Sequence, residues 1–123
     1  RTIMKTFTLV IGASENPTRY SNMAIRRLRS HQLPTHAIGL KPGKVEDVII
    51  ETGHPAFTDI DTVTLYIGPQ HQDDIVSYVL SLQPRRVIFN PGTENSRFQQ
   101  QLLDAGIQVE IACTLVLLGT GQY

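Results

Sequence analysis

The sequence predicts an α/β domain, a parallel sheet of five strands with helices packed on both of its faces. Two observations predict it. Five short runs rich in apolar and β-branched residues, Phe7–Ile11, His36–Leu40, Thr62–Ile67, Arg86–Phe89 and Ile107–Glu110, alternate with longer amphipathic segments. Most of these runs are apolar at successive positions, which is the pattern of strands covered on both sides. At 123 residues the chain suits one domain with a real core and is too short for two lobes around a cleft. Residues 4–123 therefore read as a single unit.

Taken in order, Phe7–Ile11 opens the fold and runs directly into Gly12-Ala13-Ser14. The first helix, Ser21–Arg29, sets Met23, Ile25 and Leu28 near one face and Arg26, Arg27 and Arg29 toward solvent. His36–Leu40 follows as the second strand. From Pro42 to Asp61 the alternation breaks: Gly43, Gly53, Pro55 and the short run Val48-Ile49-Ile50 read as a loop carrying a small strand or turn. Beyond Thr62–Ile67, a second helix over Gln72–Leu82 repeats Ile75, Val76, Val79, Leu80 and Leu82, with Asp73 and Asp74 complementing the macrodipole at its start. Arg86–Phe89 leads into Asn90-Pro91-Gly92-Thr93, where Thr93 reads as the N-cap for the third helix, Ser96–Asp104. Gly106 ends that helix, Ile107–Glu110 is the fifth strand, and a short apolar helix, Thr114–Leu118, closes the domain.

Composition excludes several classes of partner. Lys plus Arg and Asp plus Glu balance at 11 each, so no net field draws the chain toward nucleic acid or an anionic membrane. One cysteine makes no internal disulfide, which fits a reducing cytoplasm. No apolar segment reaches membrane-spanning length. Met4 reads as the natural start, with residues 1–3 left over from processing.

The strand ends collect the residues that carry chemistry. A strand, a small-residue loop and a helix form the layout of a nucleotide-phosphate site, because small residues let backbone N–H groups approach phosphate at a helix N-terminus. Here the loop is Gly12-Ala13-Ser14, with one glycine where a dinucleotide fingerprint has three, and it reads equally as a tight turn. Arg19, just ahead of the first helix, suits bidentate pairing with a diphosphate or plain exposure to solvent. After the second strand a dinucleotide site usually has an acid for the ribose diol; this chain has Lys41 and Lys44, which favour a phosphorylated ribose or are simply solvated. Asn90 stands polar where an apolar strand stops and reads as a contact for a ligand amide or hydroxyl. Cys113 reads first as a small buried hydrophobe, and second as a reactive thiolate at a helix start facing the cleft.

Enzyme readings fail one by one. There is no nucleophile elbow and no Gly-x-x-x-x-Gly-Lys-Ser/Thr loop. His31, His36, His54 and His71 lack metal-ligand spacing. A phosphoacceptor receiver needs acids at the ends of the first and third strands, where Gly12 and Gly68 stand. No general acid–base pair appears at the strand ends.

The Gly12-Ala13-Ser14 loop with Pro17 and Arg19-Tyr20-Ser21, the Lys41-Pro42-x-Lys44 turn, the Phe89-Asn90-Pro91-Gly92 turn and Cys113 occur in an order that resembles a known family. The chain is similar to the stand-alone CoA-binding proteins, single Rossmann-like domains akin to the N-terminal domain of the succinyl-CoA synthetase alpha chain. The resemblance runs from Thr6 to about Leu118. It implies a three-layer fold with strand order 3-2-1-4-5 and a CoA or acyl-CoA ligand across the strand ends. By that resemblance Gly12 to Ser21 take the diphosphate and Lys41 or Lys44 the ribose phosphate. Ile67, Gly68 and Pro69, with Asn90, Pro91 and Gly92, line the adenine and pantetheine path. Relatives often carry Asn-Pro-Lys where this chain has Lys41-Pro42-Gly43-Lys44. The ligase's phosphorylated histidine belongs to a second domain, so the reading is a non-catalytic binding module. Two alternatives stand beside it. One is an NADP-binding, oxidoreductase-like domain. The other is a structural domain with a vestigial site, in which Val116-Leu117-Leu118 forms a homodimer face or a contact within a larger complex.

Overall fold

A computed structural model describes residues 4–123; the processing remnant read at residues 1–3 lies outside them. Five of its strands and all four helices fall where the apolar periodicity put them. They are β1 (Phe7–Ala13), α1 (Tyr20–Ser30), β2 (Thr35–Gly39), then β3 (Gly43–Val45) and β4 (Val48–Glu51), β5 (Ile60–Leu65), α2 (Val76–Leu82), β6 (Arg86–Phe89), α3 (Ser96–Asp104), β7 (Gln108–Ile111) and α4 (Thr114–Gly119).

The sheet has seven strands rather than five, in the order β3-β4-β2-β1-β5-β6-β7. All neighbours run parallel except β3, which pairs antiparallel with β4. The expected order 3-2-1-4-5 fails as assigned, because Thr62–Ile67 supplies β5 beside β1 and not a strand beside β2. The place beside β2 goes to Val48-Ile49-Ile50, whose Ala37↔Ile50 pairing extends the sheet. Val48 and Ile50 point into the core while Ile49 faces out, so the run alternates as a strand with one covered face does. Counting β4 as the third strand restores 3-2-1 on that side, and β5, β6 and β7 follow outward on the other. The direction of winding reverses between β1 and β5, which is where open α/β sheets hold ligands.

Two cores flank the sheet. Ile25 and Leu28 of α1 and Leu118 of α4 pack with Val10, Ala37 and Ile50 on one face. Val79 and Leu82 of α2 and Phe98 and Leu102 of α3 pack with Leu9, Val63 and Phe89 on the other. Leu118 is buried in this packing, so only Val116 of the expected Val116-Leu117-Leu118 contact face is strongly exposed. The expected second helix is shorter than Gln72–Leu82: two 3₁₀ turns, Pro69–His71 and Asp73–Ile75, precede α2. Proline opens the first turn, and the buried Gln72 lies between the two.

No helix covers the crossover from β4 to β5. Residues 52–59 cross as a loop, held by side chains. The His36 ring lies between Phe7 and Phe57, with centroids 4.2 and 4.1 Å away and nearly parallel planes. Its Nε2 is 3.3 Å from Asp59 Oδ2, and the Asp59 carbonyl accepts from the N–H groups of Thr6 and Phe7. At the other end of the crossover the Tyr78 hydroxyl donates to the Pro55 carbonyl at 2.6 Å, and its ring stacks on His54. Phe57→Ala removes one side of the His36 sandwich and should destabilise the domain by about 1–3 kcal/mol. Urea denaturation checks this, and an unchanged midpoint would mean the stack does not hold the crossover.

Candidate functional site

β1 ends in a bulge. Its register with β2 passes from Ile11↔Ile38 to Ala13↔Gly39, leaving Gly12 as the extra residue. Gly12 has φ +96°, and a Cβ on it would lie 2.9 Å from the carbonyl carbon of Tyr66. Only glycine meets both demands. The bulge turns the chain out over the carboxyl edge of the sheet, where the loop to α1 is built from side-chain-to-backbone bonds. Ser14 Oγ accepts from Asn16 N–H, Asn16 Oδ1 accepts from both Thr18 N–H and Thr18 Oγ1, and Asn22 donates back to the Ser14 carbonyl. Arg26 donates to Asn22 Oδ1 and to the Pro17 carbonyl, tying the loop to the helix.

α1 starts without a capping side chain. Arg19 occupies the N-cap in extended conformation, and the N–H groups of Tyr20 and Ser21 have no acceptor among the described residues. Open N–H groups at a helix start carry partial positive charge and suit an anion. The guanidinium of Arg19 and the ammonium of Lys41 make no hydrogen bond among the described residues.

These groups face a cleft of about 670 Å³. Most residues singled out in the sequence meet there: Gly12, Ala13 and Ser14, Arg19, Tyr20 and Ser21, Lys41, Ile67 and Gly68, Pro91 and Gly92. Glu15, Tyr66 and Leu40 join them without having been expected. Burial pushes the Tyr66 phenol up to about 12, so its hydroxyl stays neutral at any ordinary pH. A second cleft of about 600 Å³ opens on the α2 side of the sheet, with Ile11, Ile38 and Ile75 as walls and His54 and Tyr78 at its far side. The two clefts meet at Gly12, Leu40 and Ile67. The second exists because the β4–β5 crossover carries no helix. Leu40 is fully exposed on the ridge between them, an apolar side chain left in water at the mouth.

Four expected residues stand apart. Lys44 lies on β3, Pro69 starts a 3₁₀ turn, Cys113 is the half-buried N-cap of α4, and none of them is a wall of either cleft. Asn90 is buried, at 2% exposure, and its amide is spent inside the fold. Nδ2 donates to Thr64 Oγ1 and the Leu65 carbonyl at 2.7 and 2.8 Å, and Oδ1 accepts from Thr114 N–H at 2.9 Å. It joins β5, β6 and α4, a structural clamp in place of the expected ligand contact. Thr93 is likewise not the cap of α3. Its hydroxyl donates to the Asn90 carbonyl, while Asn95 caps the helix by accepting from Phe98 N–H.

Gln72 escaped notice in its polar surroundings, Gln70-His71-Gln72-Asp73-Asp74. It is wholly buried. Its amide donates to the carbonyls of Ile67 and Thr93 at 2.9 and 2.8 Å and accepts from Asn95 at 2.9 Å. Ile67 and Thr93 are both cleft walls, so Gln72 fixes the spacing of two strand ends. Among the described residues no group of three or more His, Cys, Asp or Glu gathers to hold a metal. No hydrogen bond or ion pair there joins His54 or His71 to Asp73 or Asp74. No helix in the described residues is long and apolar enough to cross a membrane.

Comparison with known families finds that residues 6–119 match the CoA binding domain. The chain belongs to the CoA binding domain family. No curated protein matches it. Among solved structures, a crystal structure of an uncharacterized protein is 43% identical with a TM-score of 0.93, covering 98% of this chain and 100% of that one. A Thermus thermophilus protein, cell-free ID.343, is 20% identical with a TM-score of 0.84, over 97% of this chain and 91% of its own. A hypothetical protein from Pyrococcus horikoshii OT3 is 24% identical with a TM-score of 0.76, over 92% and 80%. The last two show the fold that this CoA binding domain shares with them.

Asn90→Ala would remove the acceptor of the Thr114 N–H and the side-chain donor to Thr64 Oγ1 and the Leu65 carbonyl. It should cost the CoA binding domain about 2–4 kcal/mol. Thermal or urea unfolding measures this, and a loss under about 0.5 kcal/mol would mean that the Asn90 clamp does not hold the fold.

Proposed function

We propose that the chain is a binding module for coenzyme A or an acyl-CoA and does no chemistry on it. The observation that carries this reading is the cleft at the start of α1. There, in a member of the CoA binding domain family, open N–H groups and two unpaired cations stand beside an apolar groove. Each part of the ligand has a matching surface. The diphosphate suits the Tyr20 and Ser21 N–H groups at the positive end of α1, with Arg19 closing over it bidentately. Lys41 suits the ribose phosphate as a compact point charge. The adenine, flat and apolar, suits the second cleft, which it enters across the Leu40 ridge. The pantetheine arm then leaves past Pro91 and Gly92.

NADP carries a phosphorylated ribose too, so Lys41 serves the alternative of an oxidoreductase-like domain equally well. Calorimetric titration separates them. CoA and acetyl-CoA should bind in preference to NADP and NAD. Arg19→Ala and Lys41→Ala should each weaken CoA binding by about 1–3 kcal/mol. Tighter binding of NADP, or CoA affinity unmoved in both variants, would overturn the reading.

A further inference from the structure

The first cleft contains one carboxylate among its donors and cations. Glu15 stands in its wall beside Lys41 and Pro42 and reaches across from the β1–α1 loop to the edge hairpin. Its Oε2 accepts from the backbone N–H of Lys44 at 2.9 Å. Gly43 makes this reach possible: a Cβ at that position would lie 2.5 Å from Glu15 Cδ. The Lys44 N–H is the sole partner of that carboxylate among the described residues, and the bond is exposed. An anion therefore sits at the lysine corner of a cleft otherwise suited to anions, held by one bond that water can replace.

Carboxylate and phosphate oxygens seek the same donors. We propose that Glu15 is a latch that competes with the ribose phosphate at the corner formed by Lys41 and the Lys44 N–H, and swings away when that phosphate binds. The proposal rests on the CoA-binding reading and adds a residue that sets its selectivity. Glu15 opposes chiefly ligands bearing an anion on the ribose. It also ties the β1–α1 loop to the β3–β4 hairpin while the cleft is empty, so binding at the lysine corner frees the loop beside the diphosphate.

Titration of CoA and 3′-dephospho-CoA into the wild type, Glu15→Gln and Glu15→Ala tests the latch. The glutamine keeps an acceptor for Lys44 N–H and loses the charge. Both variants should bind CoA about two- to five-fold more tightly, as an exposed charge contact allows. The gain for dephospho-CoA, which keeps the diphosphate but not the ribose phosphate, should be clearly smaller. In amide NMR spectra, CoA should move the Lys44 resonance of the wild type to the position it takes in CoA-bound Glu15→Ala. An equal change for both nucleotides, or a Lys44 resonance that bound CoA leaves in place, overturns the latch while the binding function stands. No binding by any of the three proteins overturns the function, and the latch with it.

Discussion

The approach of Gly12 to the backbone of Tyr66 is the constraint on which the rest of the carboxyl edge depends. A side chain there would collide with the neighbouring strand, and the positive φ would strain it as well. Because the residue is glycine, β1 can bulge within the sheet and turn outward while its neighbour β5 stays close. The same residue forms part of both clefts, so the bulge sets where one ends and the other begins.

Buried amides then hold the remaining strand ends in place. Asn90 joins β5, β6 and the start of α4, and Gln72 joins the ends of β5 and β6 to the cap of α3. Both are satisfied, which matters more in a dry interior than the net worth of any one bond. The Arg19 and Lys41 side chains and the first N–H groups of α1, those of Tyr20 and Ser21, make no hydrogen bond among the described residues. Interior amides thus serve the scaffold, while the cleft-facing cations and N–H groups are the ones the proposed ligand would use.

Much of this was legible because the signals were repetitive. Continuous apolar runs marked five strands, and heptad-like spacing marked α1 and α3 closely. The β3–β4 hairpin was harder to see. Its apolar run is three residues long, and it forms a strand only because β2 offers an open edge. The small strand read at Val48-Ile49-Ile50 was not placed in the sheet, which displaced the strand order on that side. Asn90 and Gln72 misled for a related reason. Whether a polar side chain turns inward depends on carbonyls from distant strands, 25 residues away for Asn90 and 21 for Gln72. Glu15 was passed over because its partner, the Lys44 N–H, belongs to a hairpin the pattern did not reveal.

The loop from Gly12 to Ser21 was the most informative stretch, and the fold brings its residues together at the switch point of the sheet. The central claim is that a nucleotide diphosphate rests on the first N–H groups of α1. Amide NMR spectra recorded during a CoA titration test it most directly. The account predicts the largest shifts at Tyr20 and Ser21, with Lys41 and Gly92 following. Saturating CoA that leaves Tyr20 and Ser21 unmoved, while shifting amides on the α3 or β7 side of the domain, would contradict it.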